Sequence, residues 1–114
     1  MATYDKCIYN LPAYQEGNEA DFEFDLEDNF PLEDVSDISF QVRNGKGRLI
    51  MPEKTLLTNT LTLTARTVRI PFSASEMKGN ADKHTYEIDF LNHEGHPFAT
   101  IGGAFPINAE INTK

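Results

Sequence analysis

Cysteine and tryptophan are almost missing from this chain. Its 114 residues include one cysteine, Cys7, and no tryptophan. A single cysteine excludes an intrachain disulfide and fits synthesis in a reducing cytosol. No catalytic signature surrounds Cys7, so we interpret it as a small, partly buried hydrophobic residue. The lack of tryptophan removes the largest side-chain face on which a sugar ring could stack.

Long hydrophobic runs and an excess of positive charge are also missing. No apolar run approaches the ~20 residues of a membrane helix. The N-terminus has no basic start followed by an apolar stretch, so we expect neither a membrane partner nor a secretory signal. Ten Lys and Arg against 18 Asp and Glu give a net charge of −8. This balance argues against nucleic-acid binding, which needs clustered basic residues.

The acidic residues are concentrated in one part of the chain. No Lys or Arg occurs between Cys7 and Val42. The same interval holds ten acids, and basic residues resume in the segment 43–48. The sequence therefore predicts one strongly negative edge or face, followed in sequence by a basic hairpin. The acids are Glu16, Glu19, Asp21, Glu23, Asp25, Glu27, Asp28, Glu33, Asp34 and Asp37.

Apolar and polar side chains alternate with a period of two along most of the chain, which is typical of half-buried strands. An Asn-Gly pair in 44–47 predicts a hairpin, and a shift of phase near Arg66 predicts a β-bulge. Ser73 and Glu76 have the spacing of a capping box, which predicts one short helical turn over 73–79. We predict strands over 21–27, 37–43, 48–52, 61–72 and 85–90, with a last strand within 95–107.

The stretch GHPFATIGGAFPI, residues 95–107, has two adjacent glycines that allow two interpretations. A phosphate-binding loop would need a helix directly after the glycines. Instead the chain continues with alternating residues and with Pro106, which lacks a backbone donor. We therefore predict a strand with a one-residue slip at Gly102 and Gly103.

Short strands separated by turns indicate an all-β, antiparallel sandwich of about seven strands with one short helical turn. We assign residues 20–114 to this single domain and residues 1–19 to an N-terminal arm or a first strand. The predicted core is Phe24, Phe40, Ile70, Tyr86, Ile88 and Phe105.

Metal ligands are weakly indicated at two places. His93, Glu94 and His96 offer donors for zinc, but the two imidazoles are three residues apart in a Gly-bounded loop, where a polar hairpin tip is the alternative. The acids of 27–37 could suit calcium, yet they lack the Gly-centred EF-hand pattern. We expect no bound metal or other cofactor.

Catalytic signatures are not found either. There is no G-x-S-x-G elbow, and nothing marks a pair of carboxylates for glycoside cleavage. We therefore interpret the chain as a non-enzymatic protein.

Contact residues are predicted from aromatic side chains that have no clear place in the alternating pattern. Residues 1–19 alternate poorly and hold three tyrosines. Strand edges also need either protection or a partner. The predicted interaction residues are Tyr4, Tyr9, Tyr14, Phe30 and Asp34.

Three segments carry a resemblance to a known family. They are FEFDLEDNFPLEDVSDISFQVRNGKGRLI, LTLTARTVRIPFSASEMKGNADKHTYEIDF and a closing G-x-F-x-I. Their order resembles the small immunoglobulin-like β-sandwich domains of tailed bacteriophages, found at the head of upper baseplate proteins and in tail or neck components. The chain departs from that pattern at Thr85, where the family usually has glycine before the tyrosine.

The resemblance implies an immunoglobulin-like sandwich and a role in a virion of a tailed phage or prophage, in a tail, baseplate, neck or head appendage. It implies contacts with other virion structural proteins and a symmetric homo-oligomer in the particle. A small carbohydrate- or calcium-dependent binding module is the alternative. A small enzyme inhibitor or anti-host factor that mimics an acidic polymer is a third hypothesis, since the net charge of −8 suits a basic partner.

Overall fold

The computed structural model describes residues 7–109, without the side chain of Cys7. This part of the chain forms nine strands, one short α-helix and one 3-10 turn, Leu32–Asp34. In chain order the elements are β1 (Cys7–Ile8), β2 (Tyr14–Gln15), β3 (Ala20–Asp25), β4 (Asp37–Arg43), β5 (Lys54–Thr55), β6 (Thr62–Thr64), β7 (Thr67–Phe72), α1 (Ala74–Met77), β8 (Asp82–Leu91) and β9 (Pro97–Asn108).

The strands form two sheets. The large sheet has the order β1–β9–β8–β4–β5, with β2 also paired to β9, and the small sheet has the order β3–β7–β6. All pairs are antiparallel except those of β1 and β2, which run parallel to β9. This order is that of an immunoglobulin-like sandwich, in which β3 takes the place of the second strand. The predicted all-β sandwich is confirmed.

The core lies between the two sheets and is largely aromatic. The Phe72 ring of the small sheet lies 5.5 Å from Phe40 and 5.2 Å from Phe105 of the large sheet, between ring centroids. Phe24 is only half-buried because β3 is an edge strand. The other five predicted core residues are buried: Phe40, Ile70, Tyr86, Ile88 and Phe105.

The predicted single strand over 61–72 is wrong in one respect. It consists of β6 and β7, joined by a two-residue turn at Ala65 and Arg66. Of the two turn residues only the first, Ala65, has a positive φ, of 54°. A positive φ at the first position alone is typical of a type II′ turn. The shift of phase arises because the chain reverses direction there, and Ala-Arg lacks the glycine or asparagine that usually marks such a turn.

The predicted third strand, 48–52, is reduced to one bridge between Arg43 and Leu49. The hairpin turn before it is present, because Asn44 Oδ1 accepts from the backbone N–H groups of Lys46 and Arg48, at 2.9 and 3.1 Å. The edge beside β4 is instead occupied by the two-residue β5.

The slip in the last strand lies at Phe98 and not at the glycines. Ala99 pairs with Phe90 and Pro97 pairs with Leu91, so Phe98 is the extra residue. The register then runs without interruption past Gly102 and Gly103.

The helical turn predicted over 73–79 is confirmed as α1. The Ser73 hydroxyl accepts from the Glu76 N–H at 3.2 Å, and the Glu76 carboxylate accepts from the Ser73 N–H at 3.0 Å. This is the reciprocal capping box.

Candidate interaction surface

Gly103 and Tyr86 position the first strand. The two residues are directly paired across β8 and β9. The Tyr86 hydroxyl passes over Gly103 and donates to the Tyr9 carbonyl at 2.6 Å. A Cβ on Gly103 would lie 2.7 Å from the Tyr9 carbonyl carbon, closer than real contacts allow. Gly103 therefore allows the backbone at Tyr9 to approach β9 closely. Glycine in a strand marks either a bulge or such a close approach, and here it is the close approach.

The placement of Tyr9 creates an apolar depression on one side of the sandwich, between β3 and β9. The depression is lined by Tyr9, Phe22, Phe24 and Ile101, with Glu23 at its rim. We call these four apolar residues the side cleft. The Tyr9 ring stacks on Phe22 with centroids 6.2 Å apart and an interplanar angle of 6°. The Phe24 ring also packs against Phe22, with the ring centroids 5.2 Å apart.

The backbone of β3 borders the side cleft with an edge that lacks a partner strand within residues 7–109. Leu26 donates its N–H to the Arg66 carbonyl at 2.7 Å, in register with the β3–β7 ladder. Backbone groups in an antiparallel ladder alternate between the two edges. The N–H and C=O groups of Asp21, Glu23 and Asp25 therefore point away from β7, to the open edge.

The outer face of β3 is acidic. Asp21, Glu23 and Asp25 are exposed. Asp21 forms an ion pair with Arg69 of β7 at 2.7 Å, and Asp25 accepts from the Thr67 hydroxyl at 2.6 Å. Three of the ten acids of the predicted negative face thus lie on the outer face of β3, and the exposed ion pair there adds little stability.

An ion pair between a buried lysine and a half-buried glutamate connects the large sheet to α1. Lys54 of β5 is 6% exposed, and its Nζ lies 2.7 Å from Glu76 Oε2. Burial raises the pKa of the Glu76 carboxyl, but hydrogen bonds from Lys54 and from Ser73 outweigh this and leave the pKa below its ordinary value. The pair joins β5 to α1, so we interpret it as structural.

The predicted interaction residues do not form one surface in the described residues. Tyr4 lies outside them. Tyr14 packs on Phe105 at 5.1 Å, and Phe30 packs on Phe90 at 5.0 Å. Asp34 is half-buried in the 3-10 turn. Tyr9, 54% exposed, is the one that lines the side cleft.

Residues 7–16 lie along β9 as two short strands, β1 and β2. Between them Leu11 donates its N–H to the Ala104 carbonyl at 2.9 Å and buries its side chain in the core. Residues 1–19 were expected to form either an arm or a first strand, and residues 7–16 of this segment have the strand arrangement.

His93, Glu94 and His96 lie in the exposed β8–β9 turn. The turn is organised by Asn92, whose Oδ1 accepts from the N–H groups of Glu94 and His96, at 3.0 Å each. His93 Nε2 lies 2.9 Å from the Glu33 carbonyl oxygen and connects the turn to the 3-10 turn. In the described part of the chain, no three His, Cys, Asp or Glu residues are grouped to hold a metal ion.

His84 was not singled out by the sequence. It is 5% exposed, and its Nε2 lies 2.7 Å from the Asn80 carbonyl oxygen. Its Nδ1 is buried without a hydrogen-bond partner in the described residues. His84 has the same period-two phase as Tyr86, Ile88 and Phe90, and this phase places it on the inward face; the predicted strand began at Thr85 and left His84 out.

Several large apolar side chains are exposed on the described surface. Ile8 is 74% exposed on β1, Leu57 is 73% exposed in the loop after β5, and Leu49 is 44% exposed. Ile8 and the exposed Tyr9 are adjacent at β1, whereas Leu49 and Leu57 lie in two separate loops, and of these four only Tyr9 belongs to the side cleft.

Comparison of the chain with protein-family models, with curated proteins and with solved structures gave no match. In the described residues, no helix has the length and apolar character needed to cross a membrane.

Proposed function

We propose that this chain is a non-enzymatic protein that acts through contacts with other proteins, as a structural or assembly component of the virion of a tailed phage or prophage. The observation that carries the contact function is the side cleft next to the open edge of β3. An apolar depression beside unpaired backbone groups offers a partner both burial and hydrogen bonds.

The assignment to a virion rests on the resemblance of residues 20–107 to the immunoglobulin-like domains of phage tails. The strand order of the sandwich fits that resemblance and fits other immunoglobulin-like proteins as well. Virion components are used in symmetric copies, so the proposal includes a homo-oligomer in the particle, next to other virion proteins.

Mass spectrometry of density-purified particles tests this function. We expect the chain to sediment with particles from induced cells that carry its gene, in a constant ratio to the major tail or head protein. A host cytoplasmic protein of similar size and charge serves as the control for contamination. A chain that stays in the soluble fraction, with particles present and intact, contradicts the proposal. Sugar binding by that soluble chain would favour the carbohydrate-module alternative.

A further inference from the structure

Within residues 7–109, the small sheet lacks a strand that immunoglobulin-like sandwiches commonly have. In that fold the first strand pairs with the second, in the order first, second, fifth and fourth. Here β3 takes the second place, but β1 and β2 pair with β9 of the large sheet. Within residues 7–109 the outer edge of β3 is therefore without a neighbour.

The open edge presents a regular set of backbone groups. Three residues, Asp21, Glu23 and Asp25, direct N–H and C=O groups outward along a strand of six residues. A partner strand laid on this edge would place alternate side chains on the inner and outer faces of the small sheet. Its inner side chains would lie over the side cleft, against Phe24 and Ile101.

The acidic side chains on the outer face of β3 favour a partner strand with basic residues. The outer side chains of the added strand would lie beside Asp21, which is already paired with Arg69, and beside the carboxylates of Glu23 and Asp25, which favour lysine or arginine. A second copy of this chain, paired through the same edge, would bring these carboxylates against each other, and like charges in direct cross-strand contact are destabilising. The acidic edge thus disfavours self-pairing and favours a basic strand.

We propose that the open edge of β3 accepts an extended segment of another protein, in which basic residues alternate with apolar ones, as an added first strand of the small sheet. The inference rests on the proposed contact function and names the chemistry of the partner. The apolar residues fill the side cleft, the backbone pairs with β3, and the basic residues contact the acidic face.

The first measurement is the binding of a synthetic peptide of about nine residues that alternates lysine with valine and carries one central phenylalanine. Calorimetry on the full-length chain should show saturable binding that weakens as salt is added. Two peptides serve as controls, one with glutamate for every lysine and one with the same residues arranged as a basic and an apolar block. Equal binding of the glutamate peptide, or no binding of the lysine peptide, overturns the inference.

A matched pair of variants tests the backbone contact. Glu23→Pro removes the outward N–H and the carboxylate but leaves the β7 ladder intact, and proline is tolerated on an edge strand whose N–H faces solvent. Glu23→Ala removes only the carboxylate. We expect Glu23→Pro to bind the lysine peptide about tenfold more weakly than Glu23→Ala does, because one backbone hydrogen bond is lost and a carbonyl of the peptide is left without its donor. Equal affinities of the two folded variants contradict strand addition at this edge.

Amide hydrogen exchange on the wild-type chain gives a measurement that does not depend on the variants. The amides of Asp21, Glu23 and Asp25 should exchange fast in the free protein and slowly with the lysine peptide bound. Slow exchange in the free protein, unchanged by the peptide, means that the edge is already covered and overturns the inference. Self-association that Glu23→Pro abolishes assigns the edge to a second copy, which also overturns it. If the chain is found in particles but does not bind the lysine peptide, this inference is wrong and the proposed function stands.

Discussion

At Gly103 the lack of a side chain lets the Tyr86 hydroxyl reach the Tyr9 carbonyl across β9. This contact sets the position of the Tyr9 ring, which forms one wall of the side cleft. A single residue without a Cβ therefore determines how the first strand and the cleft are arranged.

Gly103→Ala should lower the free energy of unfolding by about 1–3 kcal/mol, as for other overpacking substitutions. The added Cβ would meet the Tyr9 carbonyl and Asn10 Oδ1, the latter at 2.9 Å. Urea denaturation measures the change. Gly45→Ala is the matched control, because nothing lies within 4 Å of a Cβ at that glycine, and its φ is not positive. Equal stability of the two variants would mean that the backbone of Tyr9 and Asn10, directly after β1, does not pack on Gly103.

Glu76→Gln should destabilise the protein in a pH-dependent way, by about 1–3 kcal/mol at neutral pH, because it leaves buried Lys54 without its carboxylate. The pKa of Glu76 is lowered in the folded chain. The stability that this carboxylate contributes is therefore present above its unfolded pKa and lost as pH falls through the folded one.

We expect the difference between wild type and Glu76→Gln to shrink below about pH 4, in urea titrations across pH. Glu94→Gln, in the exposed turn, is the control and should differ little from wild type at any pH. A difference that stays constant down to pH 3 would show that the ion pair is not the source.

At the scale of elements, the first two strands are held by β9 and by the core. Deletion of residues 1–14 should therefore lower the free energy of unfolding by about 3 kcal/mol or more, since it removes the buried Leu11 and the bond from Tyr86. Thermal denaturation followed by circular dichroism measures the loss. Deletion of residues 1–6 leaves every described contact of β1 and β2 in place and serves as the control. An undiminished melting temperature after the longer deletion would show that β1 and β2 are dispensable arms.

The β6–β7 turn gives a second prediction at this scale. Ala65 holds φ 54, at the position where a type II′ turn favours glycine. Ala65→Gly should raise the free energy of unfolding by up to about 1 kcal/mol, because it removes the steric cost of a left-handed alanine. Gly79→Ala, at φ 80 after α1, should have the opposite sign. A destabilised Ala65→Gly variant, measured by urea denaturation, would contradict the turn geometry.

For the whole molecule, the net charge of −8 and its concentration on one edge set the response to salt. Repulsion among the acids destabilises the folded chain at low ionic strength, and salt screens it. The melting temperature should rise by a few degrees from about 10 to about 200 mM NaCl. A double variant, Glu23→Gln with Glu27→Gln, should melt higher at low salt and gain less from added salt. A melting temperature that falls as salt is added would mean that ion pairs outweigh the repulsion.

The alternating pattern alone was enough to predict β4 with its bounds, the inward side of β8 and the all-β class, because a half-buried strand must repeat every two residues. The capping box predicted α1 for a similar local reason. The turn at Asn44 could be predicted from its Asn-Gly pair. The turn at Ala65 could not, because the fold imposes a positive φ on a residue type that does not favour it.

The sequence by itself determined the fold class, five of the six predicted core side chains and the negative charge of the segment 16–37, since these depend on residue types and their spacing. Only the tertiary structure decided that β1 and β2 pair with β9, and within residues 7–109 this pairing leaves the edge of β3 open. Strand partners depend on contacts between distant residues, such as Tyr86 with Tyr9, and no local pattern records them. The side cleft exists for the same reason, because its four residues come from three separate parts of the chain and meet only when the two sheets pack.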